Sequence, residues 1–371
     1  MKDILTLPII YIFFTFVTSL TMTCLLLKEK IFKKKYVFDD NSEDRKIHSG
    51  NIKRTGGLGI AITILLFLII NYYFQPSDIS YKILIIYFFS LLFFLIGFVE
   101  DLIKNINPLF RLLALLLITL ISLIQTKNII SNTDIDFFDL LLRIKIIAIL
   151  FTTLCILGAA NSFNMMDGAN GLITFFSISI LATISVYASN ESNITILNIS
   201  YIFGGTLIGF LVLNWPKAFI FLGDGGSYLI GSFLCSFLIF ASNILESFNF
   251  FHIMILMAYP FWEILFTIIR RLKYSNKIVL ADNFHLHSLI FLLISNFDFF
   301  KKNKTMSNAT TSLIVNFIAL SSPLIYLFII PKNNLTDEIA LLSFLVFLLI
   351  YTFIYILLAH INSHRVANEN T

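Results

Sequence analysis

Residues 145–188 read KIIAILFTTLCILGAANSFNMMDGANGLITFFSISILATISVYA. Two apolar stretches, each close to the ~20 residues that cross a hydrocarbon core, enclose a polar segment. That segment, Asn161 to Leu172, packs three amides, a carboxylate and two glycines into twelve residues. Polar groups cost free energy beside lipid and persist there chiefly when they do work. The flanks therefore read as membrane helices, and the segment between them as a site.

The same alternation runs through the chain. Its 371 residues are 58% hydrophobic and 13% charged, with a mean hydropathy of +0.88. Such a composition excludes a soluble globular protein, and no nucleic-acid partner is implied. Apolar runs fall at 4–27, 57–75, 81–99, 111–126, 140–160, 171–188, 198–214, 227–245, 250–270, 311–331 and 338–360. The fold expected is an all-α polytopic membrane protein of about 10–11 transmembrane helices with cytoplasmic catalytic loops. It forms one integral-membrane domain over 1–362, and a short polar tail, 363–371, is expected to be disordered. The first run is too long for a removable signal peptide and lacks a small-residue cleavage pattern. Cys24, Cys155 and Cys235 lie inside apolar runs and read as packing thiols.

Threading eleven spans with the amino terminus outside puts segments 28–56, 100–110, 161–171, 214–227 and 271–310, and the tail after 360, inside. Twenty of the 26 Lys and Arg then fall on or beside inner segments. Cytoplasmic loops retain Lys and Arg, so this orientation is favoured. It also places every polar cluster on one side of the membrane.

Five clusters carry chemistry. The first loop holds Arg45-Lys-Ile-His-Ser-Gly50 and Lys53-Arg-Thr-Gly-Gly57; basic side chains there suit a phosphate at the headgroup plane. Glu100-Asp101, followed by Lys104, ends the third run, where adjacent carboxylates repel or recruit a cation. Asn161, Asn164 and Asp167 repeat at three-residue intervals along one helical face, and their hard oxygen donors suit Mg²⁺. Asp224 stands among Gly223, Gly225 and Gly226, with little bulk to shield it. Finally, Asp282-Asn-Phe-His285-Leu-His287 offers two imidazoles, too few for a zinc site and better suited to phosphate. Each cluster has a plainer reading as an anchor, a helix end or a turn, but those readings do not explain the set.

In order and loop position, the five clusters resemble the polyprenyl-phosphate N-acetylhexosamine-1-phosphate transferases. Asn-x-x-Asn-x-x-Asp-Gly-x-x-Gly-Leu fits 161–172 in full, and Phe-x-Gly-Asp-x-Gly-Ser fits 221–227 in full. The resemblance spans about residues 40–290 and leans to the GlcNAc-1-phosphate branch. It implies transfer of N-acetylhexosamine-1-phosphate from a UDP-N-acetylhexosamine to undecaprenyl phosphate, releasing UMP and initiating a cell-surface polysaccharide. It also implies a bacterial inner-membrane location, Mg²⁺ (with Mn²⁺ as an alternative), and a homodimer in some members. Carried over by motif, Asn164 and Asp224 are the metal ligands. Glu100, Asp101, Asp224, His285 and His287 form the catalytic set. Arg54, Lys104, Asn161, Asp167, Gly168, Asn214 and Phe221 bind substrate. Two departures stand out: Glu100 precedes Asp101 where the family has Asp-Asp, and Ser288 follows His287 where it has a third His. They point to one competing reading, a catalytically degenerate homologue. A second, a secondary transporter, wants ionisable groups near the bilayer midplane, and here the span interiors hold almost none besides Glu263.

Overall fold

Lipid leaves no water to satisfy exposed backbone, so long apolar runs must satisfy their own N–H and C=O groups as helices. The computed structural model describes residues 2–28, 52–103, 106–274, 285–324 and 337–369, and among these there is no strand ladder. The helices are α1 (Lys2–Lys28), α2 (Gly56–Phe74), α3 (Asp78–Ile103), α4 (Pro108–Thr126), α5 (Asp136–Leu142), α6 (Lys145–Met166), α7 (Leu172–Asn190) and α8 (Ile194–Asn214). There follow α9 (Gly223–Ser242), α10 (Phe250–Leu256), α11 (Ala258–Tyr274), α12 (Leu286–Ile294), α13 (Asp298–Lys301), α14 (Lys304–Leu324) and α15 (Asp337–Glu369). Among the described residues nine are long and apolar enough to cross a membrane, or ten when α10 and α11 count as one bent span.

The all-α polytopic reading holds, and its boundaries shift for physical reasons. The short fourth run starts earlier, at Pro108, where the Asn107 side chain caps Leu109 N at 2.9 Å and Pro sits at the first turn. The fifth run ends later, since α6 carries Asn161 and Asn164 within its last turns, where Asn164 meets Ser227 and Tyr228 and Asn161 bonds its own helix. The ninth run breaks at Met257 and bends by 66°. Pro260 lacks an N–H, and its ring would collide with the carbonyl of Leu256 in a continuous helix. The tail expected to be disordered is helical as far as Glu369. The tenth run is described only through Leu324, as part of α14. Residues 29–51, Lys104 and Asp282 lie outside the described residues, and so therefore does the Arg45-to-Gly50 motif.

At the centre stands α9, buried along almost its whole length between α3, α6 and α2. In lipid such packing draws on backbone proximity, which small residues permit. A Cβ on Gly57 would stand 2.5 Å from the Gly226 Cα and 2.7 Å from its N. Those are backbone atoms that cannot swing aside. Gly57→Ala is expected to destabilise the protein by about 1–3 kcal/mol, the usual cost of overpacking, read as a lowered Tm in detergent. An unchanged Tm would show that the crossing can open.

Candidate active site

The site forms where the loops before α2, after α6 and before α9 meet. Lys53 and Ile220 pair in a short parallel bridge. The Gly56 and Gly57 N–H groups, left unpaired by the start of α2, donate to Phe221 O and Leu222 O at 2.9 Å each. Lys53 Nζ donates to Leu26 O and Leu27 O, closing the end of α1. The chain before α2 is thus pinned on both sides, and Arg54 follows directly.

Arg54 Nη1 lies 3.6 Å from Asp101 Oδ1, and Asp101 Oδ2 accepts from Gly225 N at 3.2 Å. Gly223 fits between them with φ +79, a conformation costly for other residues. A Cβ there would meet Arg54 O at 2.6 Å and Asp101 Oδ2 at 2.7 Å. Asp224, the next residue, opens α9 and lies within electrostatic reach of Asp101, Asp167 and Arg111. Asn164 is tied to the same turn: its Oδ1 accepts from Ser227 Oγ at 2.8 Å, and its Nδ2 donates to Tyr228 Oη at 3.2 Å. Ser227 Oγ also reaches Asp224 O at 3.0 Å. The two residues that the motifs single out for a cation therefore share one serine.

Asp167 caps the end of α6. Part of its side chain reaches solvent, yet protein closes round it. This poor solvation raises its carboxyl to about 7, Asp224 pushes the same way, and Arg54 opposes both. Gly168 abuts the His287 ring. His287 stacks on His285 with ring centroids 5.6 Å apart and planes within 5°. Burial, then the neighbouring His285, lowers His287 to about 4 against the opposing pull of Glu263, so its imidazole is neutral at physiological pH. A neutral ring adds no positive potential to the site, and His287 Nδ1 is buried with no hydrogen-bond partner.

The structure thus brings Arg54, Glu100, Asp101, Asn164, Asp167, Gly168, Asp224 and His287 to one end of the helices. Asn214 stands beside them as a clamp, its Oδ1 accepting from Gly171 N at 2.6 Å and its Nδ2 donating to Ile220 O at 2.9 Å. Phe221 supplies backbone to the bridge. Asn161 is set about a turn back, its Nδ2 donating to Leu157 O of its own helix at 2.8 Å. Sequence reasoning missed two partners. Arg111, counted only as loop charge, pairs with Glu100 and lies 5.7 Å from the centre of the Tyr228 ring. A lone Arg one turn into an apolar helix was the available signal. Tyr351 carried none: its contact with Glu263 spans 88 residues.

Comparison with known proteins places these features. The profile of Glycosyl transferase family 4 matches residues 83–242. An undecaprenyl-phosphate alpha-N-acetylglucosaminyl 1-phosphate transferase of Thermotoga maritima is 26% identical over 81% of this chain and 87% of its own length. A probable undecaprenyl-phosphate N-acetylglucosaminyl 1-phosphate transferase of Bacillus subtilis is 26% identical over 67% of this chain and 68% of its own. A phospho-N-acetylmuramoyl-pentapeptide-transferase of Prochlorococcus marinus is 32% identical over 54% and 59%. Helical fold, membrane spans and relatives together define an integral-membrane transferase of phosphosugars. Over residues 83–242 the chain is similar to glycosyl transferase family 4, and over most of its length to the sugar-1-phosphate transferases named above.

Proposed function

We propose that this protein transfers N-acetylhexosamine-1-phosphate from a UDP-N-acetylhexosamine to undecaprenyl phosphate at the cytoplasmic face of a bacterial plasma membrane. The observation that carries the reading is the convergence of Asp101, Asn164, Asp167 and Asp224 beside Arg54 at one end of a membrane bundle. The names of the Thermotoga and Bacillus relatives support it. An oxygen of the lipid phosphate attacks the phosphorus that bears the sugar. The bond from that phosphorus to the bridging oxygen breaks, and UMP leaves with that oxygen. The nucleophile is already anionic, so a strong base is not required. The barrier is the approach of one anion to another.

Arg54 and Arg111 meet this barrier with positive charge, and both are braced by carboxylates. Asp167 and Gly168, with Phe221 alongside, form the nucleotide side of the site. The donor set suits Mg²⁺ or Mn²⁺. Asp224 and the Asn164 amide oxygen are hard ligands, and Asp101 Oδ1 and Glu100 Oε2 are buried with no hydrogen-bond partner. Among the described residues no three His, Cys, Asp or Glu side chains close around one ion. Mg²⁺ sites that borrow substrate phosphates, with one or two protein carboxylates, fit this pattern. When bound, the ion supplies charge neutralisation at the departing phosphate. The site's place at helix ends, and not at mid-bilayer, argues against a transporter.

A panel of UDP-sugars, offered to membranes holding the protein and undecaprenyl phosphate, tests the reading. Tunicamycin-sensitive UMP release with at least one UDP-N-acetylhexosamine is expected. No release with any of them would favour the degenerate homologue.

A further inference from the structure

Glu263 is a carboxylate 1% exposed within the bent α10–α11 span. An ionisable group in that setting calls for a stated partner and a stated use. Its partners come from two elements, the start of α12 and α15. Oε1 accepts from His285 Nδ1 at 2.9 Å and lies 3.4 Å from the Leu286 N–H at the start of α12. Oε2 accepts from the Tyr351 hydroxyl of α15. Three donors aimed at one carboxylate describe an acceptor-only, ionised group. His285 must then carry its proton on Nδ1, which leaves Nε2, on the opposite edge of the ring, for other work. The carboxylate also sits at the amino terminus of α12, where the helix dipole favours negative charge.

We propose that Glu263, seated by Tyr351, is a positioning residue for the reaction, acting through His285. The path is short. Glu263 fixes the tautomer and orientation of His285; His285 stacks within 5° of His287; and His287 rests on Gly168 beside Asp167. All three residues of the seat lie beyond 83–242, so the last third of the chain completes a site begun in its middle. A carboxylate serving only as a core tether would bind its donors in the same way but would not act through the imidazole. The inference rests on the reading of His285 as a group facing the diphosphate.

The test is a double-mutant cycle on the full-length protein, reading kcat/KM for UMP release from UDP-N-acetylglucosamine with undecaprenyl phosphate. Glu263→Gln is expected to lower kcat/KM by about 10- to 100-fold, the usual effect of removing the hydrogen-bonded partner of a functional imidazole. In a His285→Gln background the same change should cost nothing more, because its effect passes through that ring. Multiplicative losses in the double variant would overturn the proposal, as would a wild-type-like Glu263→Gln. A wild-type-like His285→Gln would defeat the reading of the histidine on which the inference rests. Tyr351→Phe, alone and with His285→Gln, runs the same cycle while leaving the buried carboxylate in place. It decides the matter if Glu263→Gln fails to fold: a loss that vanishes in the His285→Gln background supports the seat, and one that persists overturns it.

Discussion

Asp224→Ala is expected to lower UMP release roughly 1,000-fold or more, with the protein still folded. Losses of two to three orders of magnitude follow removal of a single group that stabilises developing charge, and Asp224 is placed to hold the cation as well. Its surroundings explain why the fold survives. Asp224 lies within reach of the Asp101 and Asp167 carboxylates, so removing it relieves like-charge repulsion. The backbone of its turn is secured independently, through Gly225 N to Asp101 and through Gly56 and Gly57 to residues 221 and 222. Activity should therefore collapse while the Tm stays level or rises. Asn164→Ala should show a similar loss, since Ser227 keeps its bond to Asp224 O at 3.0 Å. Near-normal UMP release by either variant would remove these residues from the metal site. Loss of activity together with loss of the folded protein would make Asp224 a structural residue.

The second large effect is at Gly168. A methyl group there would overlap the His287 imidazole, striking Nε2 and the two ring carbons beside it. The ring is the end of a side chain and can yield, so the fold tolerates the change. The stacked pair cannot yield without shifting, because His285 is held by Glu263. A displacement of about 1 Å in a positioning group costs on the order of 100-fold in rate. Gly168→Ala should fall by about that factor, with an unfolding temperature close to wild type. The combination Gly168→Ala/His287→Ala removes the colliding ring and should be no slower than His287→Ala alone. A Gly168→Ala protein that keeps full activity would show that the His287 position is immaterial to turnover.

Much of this is legible in the sequence, and the reasons differ by feature. Spans were readable because hydrocarbon imposes a length and a polarity on every crossing segment. The polar motifs were readable because an amide or carboxylate in so apolar a chain needs a cause. Helix ends were less so: α6 runs past its apolar stretch, with Asn164 bonded to Ser227 and Tyr228, and hydropathy does not record direction. The break at Met257 had a visible agent in Pro260, yet its run reads as continuous by composition. Least legible were pairings across long stretches of chain. Glu100 with Arg111 joins neighbouring helices, but Glu263 with Tyr351 joins α11 to the last helix, and neither residue signals the other. Such contacts follow from how helices pack in three dimensions, not from local pattern.

The central claim is that the sugar moves together with its phosphate. It is tested most directly with UDP-N-acetylhexosamine carrying ³²P in the phosphate next to the sugar and tritium in the sugar. The doubly labelled donor is incubated with the protein and undecaprenyl phosphate, and the lipid phase is counted. Both labels should enter the lipid in the ratio of the donor, with UMP released in equal amount, and Asp224→Ala should transfer neither. Tritium entering without ³²P, with UDP as the by-product, would mean simple sugar transfer and would contradict the account.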